Sequence, residues 1–395
     1  MKTTFFNVQH GDAIFIDFGD RGLVRDFGTL SPTSQKYVQK LASFLVKFQK
    51  NCGDYSLEAM LTHPHLDHYS GFEYMLTRLN AKKFFSISYI PWLDFSTIKS
   101  LHAFYLRLGL LHLYIFPTRR TTNQKIIDWI KMAPLMADLS KWLLGVEENA
   151  LLPHKNYQEK ILWPPRCYYI SGSRNIDGVI DLYFNFLDVF MNEFLNDSQR
   201  NIFEKRFKKI YDILSSIYTD GKHENPPNLL PSIMEELNQI EPFDLENVDY
   251  LILRLFSNFC RLKMQRNIDD HSIVFKIDEE ALFFSDLHSG PIGKIAMKHL
   301  VNQKFKLMKS AHHGSRFGAK MPKSNCTASK IVHSCGPSPY NYDGPDVRYC
   351  QLLTQQTPPN YANDIICTDW NYSSSKWIYP NHGYNIVSPK KRITL

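Results

Sequence analysis

A run of three histidines and one aspartate lies directly after a short apolar segment, and it restricts both the fold and the chemistry that this chain can have. Residues 57–61 are mostly apolar and typical of a buried strand, and residues 63–68 then read His-Pro-His-Leu-Asp-His. A tight loop at a strand end can turn alternate side chains toward one point, and imidazole nitrogens with a carboxylate oxygen suit zinc, manganese or iron. We therefore predict two neighbouring metal ions, one bound by His63 and His65 and the other by Asp67 and His68.

Later segments supply candidates for the remaining ligands. Asp286 follows an apolar segment, and a carboxylate there can bridge two ions. The pair His312-His313 follows another strand-like segment and precedes a glycine. We predict that this pair supplies a last ligand, and if His312 is that ligand, His313 is a candidate for the acid that protonates the leaving group. His271 stands at the start of a strand-like segment, where it either completes the first metal site or is an ordinary polar turn residue.

Apolar periodicity divides the chain into strand-rich ends and a helical middle. Strand-like segments dominate up to about residue 90 and again from His271, whereas helical spacing dominates about 95–150 and 170–265. We assign residues 1–166 to one α/β half with a helical insertion at about 95–150. Residues 167–267 then form a second helical insertion, and residues 268–395 form the other α/β half.

Composition limits the compartment and the partners of the chain. It has 395 residues, 44% of them hydrophobic, and a formal net charge of +7, a mild excess that suits a polyanionic partner without identifying one. Seven cysteines are scattered without a CxxC pair, which favours a reducing compartment. The first residues lack a long apolar core, and no apolar run approaches the ~18 residues of a membrane span. We expect a cytoplasmic protein without a membrane partner.

The order of the motifs resembles a known superfamily. His-x-His-x-Asp-His at 63–68, then Asp286, then Ala-His-His-Gly-Ser at 311–315 resembles the metallo-β-lactamase superfamily. More narrowly, it resembles the hydrolase domain of ComEC-type DNA-uptake competence proteins and their soluble relatives. Shorter matches lie at residues 7–13 (Asn-Val-Gln-His-Gly-Asp-Ala), 26–28 (Asp-Phe-Gly), 161–165 (Ile-Leu-Trp-Pro-Pro), 270–274 (Asp-His-Ser-Ile-Val) and 368–369 (Thr-Asp).

The resemblance implies a fold, a cofactor and a reaction. The fold is a four-layer αββα metallo-β-lactamase sandwich with a large helical insertion, and the cofactor is two divalent ions, zinc or manganese. The activity is that of a nuclease or phosphodiesterase, with DNA as the most direct substrate and RNA or a nucleotide as alternatives. The chain departs from the group at Tyr342-Asp-Gly-Pro345, where the group often has Tyr-Gly-His-Pro.

Two metal ions at such a site suit hydrolysis. They lower the pKa of a water molecule toward neutrality and offset charge on a phosphoryl or carbonyl oxygen. Asp67, besides binding metal, is a candidate to orient the attacking water. Basic stretches at 205–209 and 261–266 either contact a nucleic-acid backbone or form ordinary solvated helix faces.

Two other functions stay open on the sequence alone. The same site can hydrolyse a small ester, lactone or lactam, and the histidine missing at 342–345 leaves room for that reaction. The chain can also be a non-enzymatic module, stabilised by metal, whose helical insertion binds a protein partner, for example in a multi-protein defence system.

Overall fold

A computed structural model of the chain describes residues 1–30, 34–51, 54–91, 95–115, 124–152, 157–164, 176–218, 228–245, 269, 272–287, 300, 302–314, 326–334, 364–367, 385–387 and 392–394. The fold is mixed α/β, and the chain divides into two compact units. The first unit comprises Met1–Trp92, Leu139–Arg166 and Ile268–Leu395, and the second comprises Leu93–Asp138 and Cys167–Asn267.

The described residues form both strands and helices. In chain order the strands are β1 (Lys2–Phe6), β2 (Ala13–Asp17), β3 (Arg21–Phe27), β4 (Ser56–Met60), β5 (Phe85–Pro91), β6 (Ser140–Val146), β7 (Leu151–Leu152), β8 (Glu159–Trp163), β9 (Val274–Ile277), β10 (Ala281–Phe283), β11 (Lys304–Lys309), β12 (Thr327–His333), β13 (Asp364–Cys367), β14 (Asn385–Val387) and β15 (Arg392–Thr394). The helices are α1 (Gln35–Asn51), α2 (Leu66–Thr77), α3 (Phe95–Ile115), α4 (Gln124–Leu139), α5 (Ile176–Phe194), α6 (Asp197–Tyr218) and α7 (Leu229–Asn238).

The strands form two mixed sheets in the first unit. One sheet has the order β15-β1-β2-β3-β4-β5-β6, and the strands from β3 to β6 run parallel. The other has the order β14-β13-β12-β11-β10-β9-β8-β7, and the strands from β10 to β14 run parallel. Neighbouring parallel strands end at the same edge of a sheet, so side chains that follow β10, β11 and β12 are brought close together.

The two sheets bury one common hydrophobic cluster. It contains Phe5 and Ile14 of the first sheet and Phe275 and Phe283 of the second. The Phe275 and Phe283 rings stack with centroids 4.8 Å apart, and the Phe5 ring lies 6.5 Å from that of Phe283. Burying each such side chain contributes about 1.5–3 kcal/mol, so this shared core holds the sheets together.

Helices α1 and α2 belong to the first unit. The apolar residues Val38, Leu41, Ala42 and Leu45 recur at helical spacing and are the buried face of α1. Helix α2 begins directly after the histidine loop, with His65 in an extended conformation at its N-cap. Its buried side chains anchor that loop to the first sheet.

The second unit is helical in its described residues and corresponds largely to the two predicted insertions. The predicted helix or helix pair at 182–217 is a pair, α5 and α6, and α6 contacts α3 and α7. Within this unit the Tyr114 ring stacks on Phe243, with centroids 4.4 Å apart. None of the described helices is both long enough and apolar enough to cross a bilayer.

One predicted boundary was wrong. The sequence analysis extended the first helical insertion to about residue 150, but Ser140–Val146 forms strand β6, the edge of the seven-stranded sheet. The first helical segment of the second unit therefore ends at Asp138. A short run such as Trp-Leu-Leu fits a helix or a strand equally well by periodicity, and its pairing with β5 decides between them.

Candidate metal centre

The histidine loop is held at the end of β4 by a carboxylate from the neighbouring strand. The Asp26 carboxylate accepts hydrogen bonds from the backbone N–H of Thr62 at 2.8 Å and from its hydroxyl at 2.9 Å. Asp26 itself has a positive φ of 47° near the end of β3, where the pairing with β2 shifts register between Ala13 and Ile14. These bonds fix the start of the loop that carries His63 and His65.

Four buried side chains converge beyond this loop: Asp67, His68, Asp286 and His313. Each offers one ligand atom, and the four atoms lie within 4.8 Å of one another. His313 Nε2 lies 3.2 Å from Asp67 Oδ2 and 3.5 Å from Asp286 Oδ2. His68 Nε2 lies 3.5 Å from the same Asp286 oxygen. Two imidazoles and two carboxylates at these separations can hold one divalent cation.

A second group consists of His63, His65 and Asp286, again with ligand atoms within 4.8 Å. His63 Nε2 lies 3.0 Å from His65 Nδ1 and 3.7 Å from Asp286 Oδ2. One group contains His63 and His65, and the other contains Asp67 and His68, which are the two pairs that the sequence assigned to different ions. Asp286 is common to both groups.

Polar contacts outside the cluster orient three of the imidazoles. Nδ1 of His313 donates to the Ser334 carbonyl at 2.8 Å, which leaves its Nε2 directed at the carboxylates. Nδ1 of His68 lies 3.1 Å from Asp26 Oδ2, and Nδ1 of His63 lies 3.1 Å from the Ser285 hydroxyl. Such outer partners are typical of histidines that bind metal, because they set the tautomer and fix the ring.

The structure brings His313 rather than His312 into the four-residue group. The sequence favoured His312 as the ligand and His313 as the acid without deciding between them, and neither group contains His312. Both residues have positive φ, 45° and 54°, in the turn after β11, and their rings stand nearly perpendicular with centroids 6.2 Å apart. This left-handed backbone could not be inferred from a histidine pair. His271 lies outside the described residues, as do 261–266, 342–345 and 368–369.

Sequence reasoning missed several residues that contact the predicted ligands. Asp269 Oδ1 lies 3.2 Å from His65 Nδ1, and the acidic pair at 269–270 was the only signal for it. His10 Nε2 lies 3.7 Å from Asp67 Oδ2, although in the sequence His10 is notable only as part of a family-like motif. Asp12 and Asp26 likewise appeared only as motif residues.

A buried ion-pair network lies beside His68. Asp12, Arg25 and Lys309 are fully buried, and Asp12 Oδ2 lies 2.5 Å from Lys309 Nζ and 3.6 Å from Arg25 Nη1. Burial alone would raise the pKa of Asp12, but Lys309 and the neighbouring histidines hold this pKa well below its usual range. Asp12, Asp26 and His68 also have ligand atoms within 4.8 Å of one another, yet Lys309 and Arg25 already supply positive charge there.

Among the described residues, no lysine or arginine forms an ion pair with Asp67 or Asp286, and histidines supply the positive charge beside these carboxylates. Burial opposes ionisation, but His68 and His313 hold the pKa of Asp67 well below its usual range. Burial lowers the pKa of His313, but Asp286 and Asp67 outweigh this effect and raise the pKa to about 10. The pKa of His63 is well below its usual value because of burial and the neighbouring histidines. The carboxylates of the four-residue group therefore favour positive charge beside them, whereas His63 is held in its neutral form.

The residues present fit a divalent metal. Nε2 of His68, Nε2 of His313 and Oδ1 of Asp286 are buried and make no well-formed hydrogen bond within the described part of the chain. Buried polar atoms without partners are costly, and convergence on one point is the arrangement in which a bound cation satisfies them. The buried His/Asp groups can thus hold a metal ion.

The predicted basic stretch on α6 is partly neutralised within its own unit. Arg206 forms an ion pair with the buried carboxylate of Glu236, and Lys209 Nζ lies 2.5 Å from the same carboxylate. Lys205 and Lys208 are exposed. The ion pairs give Arg206 and Lys209 a role in joining α6 to α7.

The sequence matches no protein-family model and no curated protein at a significant level.

Proposed function

We propose that this chain is a metal-dependent hydrolase of phosphodiesters, with a nucleic acid or nucleotide as substrate. The observation that carries the proposal is the sharing of Asp286 between a two-histidine group and a group with two histidines and Asp67. A carboxylate between two such groups is suited to bridge two divalent ions, and zinc or manganese fits these ligands.

We also propose that the first unit is a four-layer αββα sandwich of the metallo-β-lactamase type. Two mixed sheets with one common core support this architecture, as does the position of the ligands at strand ends. His63 to His68 follow β4 of one sheet, whereas Asp286 and His313 follow β10 and β11 of the other. The site therefore draws on the strand ends of both sheets.

The ligands divide between two ions in this proposal. His63 and His65 would hold the first ion, Asp67, His68 and His313 would hold the second, and Asp286 would be available to both. His313 is then a ligand rather than the leaving-group acid, because its Nε2 is within 3.5 Å of both carboxylates. Two divalent ions held by these residues would lower the pKa of a water molecule so that it could react as hydroxide, and would offset the negative charge of a phosphoryl group.

The chain's own residues position the reactants. Asp67 has one carboxylate oxygen near both His313 and His10, so it can accept a hydrogen bond from the attacking water and orient it. Asp26 holds His68 through Nδ1 and the loop through Thr62. Because these groups are buried, the positions of the ligands are set before substrate binds, which lowers the reorganisation that the reaction requires.

The first experiment measures metal content and nuclease activity together. We expect the purified protein to bind zinc or manganese, and the manganese-loaded protein to cut labelled single- or double-stranded oligonucleotides. His65→Ala and Asp67→Ala should abolish cutting, whereas the exposed Lys306→Ala should not. If oligonucleotides stay intact while a chromogenic ester is hydrolysed, the phosphodiester assignment is wrong. A protein that binds metal and hydrolyses neither supports the partner-binding module instead.

A second experiment tests the shared ligand by metal stoichiometry. His65→Ala removes a ligand of one group, so the variant should retain about one ion where the wild type binds two. Asp286→Asn weakens both groups and should reduce the content of both ions. Equal occupancy in the wild type and in Asp286→Asn would contradict the bridging role.

A further inference from the structure

His10 differs from the ligand residues in its exposure and its position. Its side chain retains 16% exposure, compared with 8% for Asp67 and 6% for His313. Its Nε2 lies 3.7 Å from Asp67 Oδ2, and its ring centroid lies 4.9 Å from that of His313. His10 is thus placed at the partly open side of the four-residue group.

The backbone on both sides of His10 is fixed. Gln9 has a positive φ of 61°, and its N–H donates to the Asn7 side chain at 3.0 Å. The carbonyl of His10 accepts a hydrogen bond from Leu30 N–H at 2.8 Å. The loop that presents His10 is therefore held in one conformation.

The same loop is hydrogen-bonded to the start of α2, which carries Asp67 and His68. The N–H of Asp12 donates to the Asp67 carbonyl at 3.0 Å, and a Cβ at Gly11 would lie only 2.9 Å from that carbonyl oxygen. The close approach requires glycine at position 11. This close approach of the two backbones places the His10 imidazole at a set distance from the Asp67 carboxylate.

His10 is not needed to complete either ligand group. The four-residue group has two imidazoles and two carboxylates without it, and neither group includes it. Catalytic metal sites leave a position open for water or substrate, and a polar side chain beside that position contacts the ligand that enters. An imidazole there can donate a hydrogen bond to an oxygen of the incoming group.

We propose that His10 is a substrate-contacting residue whose imidazole donates a hydrogen bond to a phosphoryl oxygen on the Asp67–His313 side of the site. The inference rests on the proposed function, since it assigns a group at the same site. It separates His10 from the ligands: the ligands hold the ions, and His10 holds the phosphoryl group.

The test uses the manganese-loaded full chain and inorganic phosphate as probe. His10→Ala should keep the metal content of the wild type but bind phosphate roughly fivefold to tenfold more weakly, the loss expected for one hydrogen bond. His10→Gln keeps a side-chain donor and should recover part of that affinity. The cobalt-substituted forms of wild type and His10→Ala should have similar visible absorption spectra.

Two results would overturn the assignment while leaving the proposed function intact. If His10→Ala loses metal or changes the cobalt spectrum as His313→Ala does, His10 is a ligand. If it binds phosphate as tightly as the wild type, His10 does not contact the phosphoryl group. A wild-type protein that binds no metal refutes the proposed function itself, and the assignment of His10 with it.

Discussion

The Nζ atom of Lys309 lies 2.5 Å from the carboxylate of Asp12, and both side chains are fully buried. Asp12 belongs to the loop that carries His10, whereas Lys309 is the last residue of β11, four positions before His313. The ion pair therefore connects two segments that contribute to the same site. Arg25, whose Nη2 donates to the Phe284 carbonyl at 2.7 Å, ties the same network to the segment that carries Asp286.

Lys309→Met is expected to destabilise the fold because Asp12 would lose its closest cation in a buried environment. Breaking a buried pair in this way typically costs about 3–5 kcal/mol. Urea denaturation of the metal-free protein measures the change in the free energy of unfolding. The matched control is Lys306→Met on the same strand, whose ion pair with Glu280 is largely exposed and should matter little. Equal stabilities of the two variants would contradict the importance of the network.

Gly28→Ala is expected to weaken metal binding by displacing the start of α2, which carries Asp67 and His68. A Cβ at Gly28 would lie 2.6 Å from three backbone atoms of residues 66–68, so the start of α2 must shift. Such overpacking typically costs about 1–3 kcal/mol and in this position also moves Asp67 and His68. Competition with a chromogenic chelator measures the metal affinity.

Gly19→Ala is the control for this substitution. Gly19 has a φ of 100°, which alanine adopts with strain, but no atom lies within 4 Å of the added Cβ. It should reduce stability without changing metal affinity. If both variants bind metal like the wild type, the close approach of Gly28 does not determine the ligand geometry.

Much of the candidate site could be predicted from sequence because four of its residues lie within the six positions 63–68. Asp286 and His313 follow apolar strands that neighbour each other in a parallel sheet, so their convergence follows from topology. The choice between His312 and His313 could not be predicted, since it depends on two left-handed backbone conformations. Asp269 was missed because it does not directly follow an apolar strand-like segment, so no strand end indicated its position beside His65.

The strands that could be predicted from sequence are those whose burial dictates an apolar composition. The strands at 159–163 and 274–277 have strong apolar patterns and were found, because burial on both sides dictates their composition. Strand β6 was assigned to a helix because an edge strand is only partly buried and its pattern is less constrained. Whether such a segment forms a strand or a helix depends on its pairing with a distant strand, and a single sequence does not reveal that pairing.

Asp138→Ala is expected to loosen α7 in the helical unit. The Asp138 carboxylate accepts hydrogen bonds from the N–H groups of Leu229 and Leu230, at 3.1 and 2.9 Å, and Asn228 makes no side-chain cap. Loss of a capping carboxylate costs about 1–2 kcal/mol. Amide hydrogen exchange over residues 229–238 should accelerate roughly tenfold. Ser232→Ala, which removes only an exposed hydroxyl contact, should leave exchange nearly unchanged.

His333 is expected to make the stability of the metal-free protein depend on pH. It is fully buried, its Nδ1 lies 2.7 Å from the Ser310 hydroxyl, and burial together with Lys309 lowers its pKa to about 3. The unfolded chain has the ordinary histidine pKa of about 6.5. Between these values the unfolded state binds a proton that the folded state does not.

Stability should therefore fall as the pH decreases from about 6.5 toward 3, with a contribution from His333 of up to about 1.4 kcal/mol per pH unit. His333→Gln lacks this titration, so its free energy of unfolding should change less steeply over that interval. Urea denaturation in the presence of a chelator at pH 7, 6 and 5 gives both slopes, and the ligand histidines contribute equally to each protein. Parallel slopes would mean that His333 is protonated in the folded protein as readily as in the unfolded chain.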